Sequence, residues 1–113
     1  MKILVIDDNE TIRAILPSVL DGRYDVVVMW PPTVHEVIRL SPDLILLDIL
    51  MPGLSGYEFL RQLRQEHLNV PVVAVTVVDA DVEHFKGMGF CGYVRKPISI
   101  GGLFREIERC LGT

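Results

Sequence analysis

Cysteine is scarce in this chain: Cys91 and Cys110 are the only two in 113 residues. That usage is not the pattern of a disulfide-built secreted scaffold, and both are expected as reduced, buried, small apolar residues of a cytoplasmic protein. Basic residues are not in excess either. Eleven Lys and Arg stand against 15 Asp and Glu, a net charge of −4, which disfavours direct nucleic-acid binding through a basic surface. No apolar run approaches the ~18 residues of a membrane span. The opening MKILVIDDNE brings acids at positions 7 and 8, too early for a secretory signal. There is no repeat, no low-complexity segment and no interdomain linker. Three histidines, His35, His67 and His84, share no motif and are expected at the surface.

What is present is a dense apolar framework. The chain is 50% hydrophobic and 23% charged, which fits one compact α/β domain over residues 1–113. Strands and helices alternate along it. The first strand is expected over Ile3 to Ile6. A helix follows, with Ile12, Ile15, Leu16, Val19 and Leu20 at helical spacing, Gly22 as its stop and Pro17 as a kink or loosening point. Asp25 to Met29 reads as the second strand. Thr33 with Glu36 forms a capping box for a short second helix ending near Leu40. Leu44 to Asp48 reads as strand three, Tyr57 to Glu66 as helix three and Val72 to Thr76 as strand four. A weakly marked fourth helix spans about Ala80 to Met88. Tyr93 to Arg95 is the fifth strand. Ser99 caps a fifth helix carried by Leu103, Ile107 and Leu111, whose first turn is softened by Gly101-Gly102.

Five such units predict a doubly wound parallel sheet with helices on both faces. The stretch LILLDILMPG, residues 44–53, is apolar, Pro or Gly at every position but Asp48. It reads as a strand buried on both faces, and a charge at its end is costly unless compensated. In doubly wound sheets, ligands sit beyond the carboxyl ends of the strands. Asp7 and Asp8 follow strand one, Asp48 ends strand three, Thr76 ends strand four and Lys96 follows strand five, so all five converge on one edge.

Three close carboxylates repel each other and must take up protons or bind a cation. Hard oxygen ligands favour Mg²⁺, with Mn²⁺ able to substitute. A carboxylate beside a divalent ion and a Lys is also set up to attack phosphorus. The cations neutralise the phosphoryl oxygens while an acyl phosphate forms, and Thr76 can donate its hydroxyl to one of those oxygens.

VIDD at 5–8, LLDILMPGLSG at 46–56, Thr76 and YVRKP at 93–97 resemble the receiver domain of two-component response regulators, in order and spacing across essentially the whole chain. The resemblance implies a flavodoxin-like sheet of order 2-1-3-4-5. It implies Asp48 as phosphoacceptor, charged from a sensor histidine kinase or a phosphotransfer protein. Asp8 and Asp48 would hold the metal directly, with the Leu50 backbone carbonyl as a further ligand and Asp7 acting through water. Lys96 would hold a phosphoryl oxygen, with a cis peptide to Pro97. Thr76 and Tyr93 would form the switch pair, the ring turning inward as Thr76 moves toward the phosphoryl group. The face of the fourth helix, fifth strand and fifth helix would then control a downstream protein or effector domain, with a phosphorylation-linked dimer as one form of output. Such a domain is not a turnover enzyme; it catalyses its own phosphotransfer and slow autodephosphorylation only.

Several residues depart from the family pattern. Val77 stands where a small residue commonly follows the switch Thr. Ser55 replaces an acid, and helices two and four look short. Trp30 lies on the loop beside the acidic cluster, either as a partner contact or as a hydrophobic lid. Leu50 and Val78 are apolar at the positions from which polar side chains would orient an attacking water, so a long-lived phosphoryl group is expected. A phosphatase of the aspartyl-phosphate type would carry Asp at position 50, and DDNE after strand one would repel a nucleotide phosphate lacking a metal. The rival reading is a receiver-like binding module that works without phosphorylation.

Overall fold

The computed structural model describes residues 1–112. In chain order it contains β1 (Lys2–Ile6), α1 (Glu10–Leu20), β2 (Asp25–Met29), α2 (Val34–Leu40), β3 (Leu44–Leu47), β4 (Leu50–Met51), β5 (Leu54–Ser55), α3 (Gly56–Gln65), β6 (Val72–Thr76), α4 (Val82–Gly87), β7 (Gly92–Arg95) and α5 (Ile100–Leu111). Five strands pair in parallel in the order β2-β1-β3-β6-β7. This is the expected 2-1-3-4-5 order once the short hairpin β4–β5 is set aside.

The register makes the sheet's active edge level. Ile6 lies opposite Leu47, Leu47 opposite Ala74, and Thr76 opposite Arg95. The first residues beyond β1, β3 and β7 therefore emerge side by side with the end of β6. Alternation along the strands divides the core in two. Leu4, Ile6, Ile45 and Leu47 pack with Phe59, Leu63 and Phe85 on the face of α2, α3 and α4. Ile3, Val5, Leu44 and Leu46 pack with Leu16, Leu20, Leu103 and Ile107 beneath α1 and α5. All four residues of β3 are buried. At about 1.5–3 kcal/mol for each fully buried aliphatic side chain, β3 is a rigid base for the residue that follows it.

Local signals place the helix ends. Asn9 caps α1 by accepting from the Ile12 N–H at 3.0 Å. Thr33 accepts from the Glu36 N–H at 3.1 Å, and its hydroxyl donates back to the Glu36 carboxylate at 3.2 Å. Asp81 accepts from the His84 N–H at 2.8 Å, so α4 starts at Val82 and is shorter than the segment expected from Ala80. α1 runs through Pro17 to Leu20 without ending. Pro17 forgoes one backbone bond, while buried Leu16 and Leu20 hold the second half of the helix on the sheet. α5 keeps both Gly101 and Gly102 in its first turn, capped by Ser99. The three histidines are exposed, as expected.

The two cysteines require a correction. They are not buried reduced thiols: Cys91, just before β7, is joined to Cys110, in the last turn of α5, by a disulfide spanning 5.9 Å between Cα atoms, and both are half-buried. Nothing in their 19-residue separation marks them as partners. They meet because α5 packs back on the strand that precedes it.

Candidate functional site

The carboxyl edge of the sheet gathers the expected polar residues. Asp7 is 1% exposed, Asp48 5% and Thr76 0%, while Asp8 and Lys96 are half-buried. Oxygens of Asp7, Asp8 and Asp48 all lie within 4.8 Å of one another. Lys96 reaches back from the end of β7 and places its Nζ 2.8 Å from Asp7 Oδ2 and 3.1 Å from Asp48 Oδ2. The Lys96–Pro97 peptide is cis, and so is Trp30–Pro31, which the sequence reading did not anticipate.

Asp48 is held from two sides. Its Oδ1 accepts from the Ile49 N–H at 2.7 Å and from the Leu50 N–H at 3.3 Å, while Oδ2 faces Lys96. Its own N–H continues the β3–β1 ladder, donating to the Ile6 carbonyl at 3.0 Å. The loop that follows turns through β4 and β5, with Gly53 at φ 72, and returns to Gly56. A Cβ on Gly56 would lie 2.8 Å from Ile49 Cα and closer still to the Asp48 carbonyl. Only Gly lets the loop close against the Asp48 backbone, a role that the LSG motif alone does not reveal.

The charges are unbalanced. Three carboxylates share one ammonium, leaving two formal negative charges without a partner cation in the cluster. Burial holds the Asp7 carboxyl above the usual carboxylate range, and the neighbouring Asp48 charge adds to this. The Lys96 ammonium and the Asn9 N–H, 2.8 Å from Asp7 Oδ1, pull the other way without cancelling it. Burial lowers the Lys96 ammonium, but its bond to Asp7 and the charges of Asp48 and Asp7 outweigh that and hold it above its ordinary value. A cluster of hard oxygen donors with excess negative charge suits a divalent cation such as Mg²⁺.

Behind the cluster, Thr76 Oγ1 accepts from the Val78 N–H at 3.4 Å, and the Thr76 carbonyl accepts from the Lys96 N–H at 2.9 Å. Tyr93 lies half-buried, its ring stacked on Phe85 at 4.3 Å between centroids and its hydroxyl donating to the Val78 carbonyl at 2.6 Å. Burial raises the Tyr93 phenol above its ordinary value. The ring thus packs inward, against Phe85. Phe85 and the Val78 carbonyl went unnoticed in the sequence because they reach Tyr93 only across the fold. Val78 packs against the apolar cluster, whereas Leu50 and Val77 stand 58% and 56% exposed. Trp30 packs against the same cluster, so its apolar role is the one that the structure displays.

This is a doubly wound α/β domain whose strand ends present an acidic cluster bridged by a single lysine. Residues 3–108 match the response regulator receiver domain family, and the chain belongs to it. The transcriptional regulatory protein PhoP for alkaline phosphatase synthesis in Bacillus subtilis is 36% identical over 87% of this chain and 43% of its own length. The sensory transduction protein RegX3 of Mycobacterium tuberculosis is 33% identical over 97% of this chain and 50% of its own. A protein-glutamate methylesterase of Nocardioides is 30% identical over 96% of this chain and 32% of its own length. This chain thus spans half or less of each of these relatives. Among solved structures, the N-terminal domain of the nisin resistance regulator NsrR superposes with a TM-score of 0.87 at 28% identity, over 97% of each chain. Vibrio cholerae chemotaxis protein CheY4 superposes with 0.84 at 25% identity, over 96% of this chain and 97% of its own. Receiver domains of response regulators are phosphorylation-dependent signalling modules of two-component systems and are generally not enzymes. Among the described residues, no helix is long and apolar enough to cross a membrane.

Proposed function

We propose that Asp48 accepts a phosphoryl group from a phosphohistidine on a partner sensor kinase or phosphotransfer protein, and that the phosphorylated state changes the α4–β7–α5 face to control a downstream protein or effector domain. The observation that carries this is the setting of Asp48: nearly buried, one oxygen fixed by two backbone N–H groups and the other facing a lysine.

An Asp48 oxygen bonds to phosphorus as the donor's phosphorus–nitrogen bond breaks. The imidazole nitrogen keeps that electron pair and takes up a proton. Fixed N–H donors hold Asp48 on line and cost no reorganisation at that moment. Once phosphorylated, the Asp48 carboxyl loses its charge while the phosphoryl oxygens carry theirs, so Lys96 moves its ammonium from Asp48 Oδ2 to a phosphoryl oxygen. Asp8 and Asp48, with the Leu50 carbonyl and with Asp7 through water, would hold Mg²⁺ or Mn²⁺, whose charge offsets that of the transferring group. Thr76 then gives its hydroxyl to the phosphoryl group. Its shift loosens the Val78 segment that anchors Tyr93, coupling the site to α4 and β7. The domain drives only its own phosphotransfer and slow autodephosphorylation. It works in the cytoplasm, and a phosphorylation-linked dimer is one form its output takes.

Intact mass after incubation with acetyl phosphate and Mg²⁺ tests the reading. One added phosphoryl group, absent in Asp48→Asn and abolished by chelation, is expected. No mass gain in the parent chain would leave the phosphorylation-independent binding module as the better account.

A further inference from the structure

β7 is an edge strand of the sheet, and its outer side is covered by three bonds from α5. Glu106 Oε1 accepts from the Tyr93 N–H at 3.3 Å. Arg109 Nη2 donates to the Cys91 carbonyl at 2.6 Å. Cys110 forms the disulfide to Cys91. Glu106 and Arg109 also pair with each other at 3.0 Å, and they fill the space a Cβ would need at Gly92. Two polar side chains stand in for a neighbouring strand, and a covalent bond from Cys91, just before β7, closes the start of the same strand to the last turn of α5. The Arg109 guanidinium lies 3.7 Å from Cys110 Sγ. A cation at that position favours the thiolate, the nucleophilic form of a cysteine, and both sulfurs belong to half-buried rather than buried residues. In a reducing compartment such disulfides are usually transient or sensing rather than structural.

We propose that Cys91 and Cys110 form a reversible thiol–disulfide switch that pins or releases the last turn of α5 on the strand edge carrying Tyr93. In the reduced chain, the Cys110 thiolate attacks a low-molecular-weight disulfide, forming a mixed disulfide and expelling one thiolate. The Cys91 thiolate then attacks Cys110 Sγ and expels the second. Two electrons pass from the cysteine pair to the oxidant, which leaves as two thiols once protonated. The oxidised chain holds Glu106 and Arg109 on β7 through the adjacent crosslink. In the reduced chain these partly exposed polar contacts remain alone, without the crosslink beside them. The redox state thus sets how firmly the face around Tyr93 is held, independently of phosphorylation.

The test equilibrates the unphosphorylated chain in glutathione buffers from fully reduced to fully oxidised, traps thiols by alkylation and reads intact mass. Amide exchange of Tyr93 and of residues 105–112 is measured in parallel. The expected result is conversion in both directions within that range, with protection of the Tyr93 amide, which bonds to Glu106 of α5, differing at least ~10-fold between the two states. Cys91→Ser and Cys110→Ser should each lose the redox dependence and exchange like the reduced parent. A pair that stays reduced in oxidised glutathione, or stays bonded under millimolar dithiothreitol, overturns the switch. A pair that cycles without changing exchange at Tyr93 overturns its coupling to the strand edge.

Discussion

Gly56→Ala tests how the Asp48 loop is built. The new Cβ would sit 2.8 Å from Ile49 Cα and nearer still to the Asp48 carbonyl, both backbone atoms that cannot rotate aside. Restoring an ordinary contact of 3.4 Å moves the Ile49 backbone by about 0.6 Å, and Asp48 by more. The Gly56 N–H bond to the Ile49 carbonyl, now 2.9 Å, stretches with it. Overpacking of this kind costs ~1–3 kcal/mol. A displacement approaching ~1 Å at a reacting carboxylate costs ~10²-fold in rate. We therefore expect Gly56→Ala to lower the urea midpoint and to slow mass gain from acetyl phosphate by about 10- to 100-fold. Gly101→Ala is the control: nothing lies within 4 Å of its Cβ and it sits in the first turn of α5, so it should gain ~0.5–1 kcal/mol with an unchanged phosphorylation rate. If Gly56→Ala were as stable as its parent and phosphorylated as fast, the close approach of Gly56 to the Asp48 backbone would not be what positions the carboxylate.

Lys96→Met should destabilise the metal-free chain by about 2 kcal/mol at pH 7, less than the ~3–5 of a sealed pair because Lys96 is 14% exposed. Burial and the Asp48 charge would then raise the Asp7 carboxyl further. A carboxyl with a raised folded pKa contributes stability that is present below the unfolded value and lost as pH rises through the folded one. The deficit should therefore shrink from pH 7 to pH 4.5 in urea titrations, and a deficit equal at both values would refute the pairing. Mg²⁺ should raise the melting temperature of the parent by relieving carboxylate repulsion, and thermal scans of Asp8→Ala should show that increment lost. Phospho-Asp48 should be long-lived. Leu50→Asn, which puts a polar group at an exposed position beside the site, should speed phosphate release ~10-fold or more, and release no faster than the parent would show that water orientation at this position does not limit lifetime.

Much of the architecture was legible along the chain. Strand β3 announces itself as LILL between Pro42 and Asp48, because a strand buried on both faces must be apolar at every position. Thr33 and Ser99 mark helix starts because a capping oxygen bonds an amide three residues on, an interaction fully contained in local sequence. The sheet order was readable only through family resemblance, since strand neighbours are chosen by packing rather than by adjacency. Where local cues were weak, boundaries moved: α4 is shorter than expected, and the MPGLS stretch forms a hairpin before α3.

The sequence by itself determined which residues stand at the carboxyl ends of the strands, because alternating β–α units place Asp7, Asp8, Asp48, Thr76 and Lys96 there whatever else the fold does. The tertiary structure decided what those residues touch. Lys96 comes to bridge Asp7 and Asp48, the nearer of them 48 residues away along the chain, because parallel pairing levels β1, β3, β6 and β7 at one edge. Tyr93 finds Phe85 and the Val78 carbonyl because α4 and β7 close on each other. Cys91 meets Cys110 because α5 folds back along the sheet edge. Each is a contact between segments that share no local pattern, and its energy exists only once the two faces of the sheet have been buried.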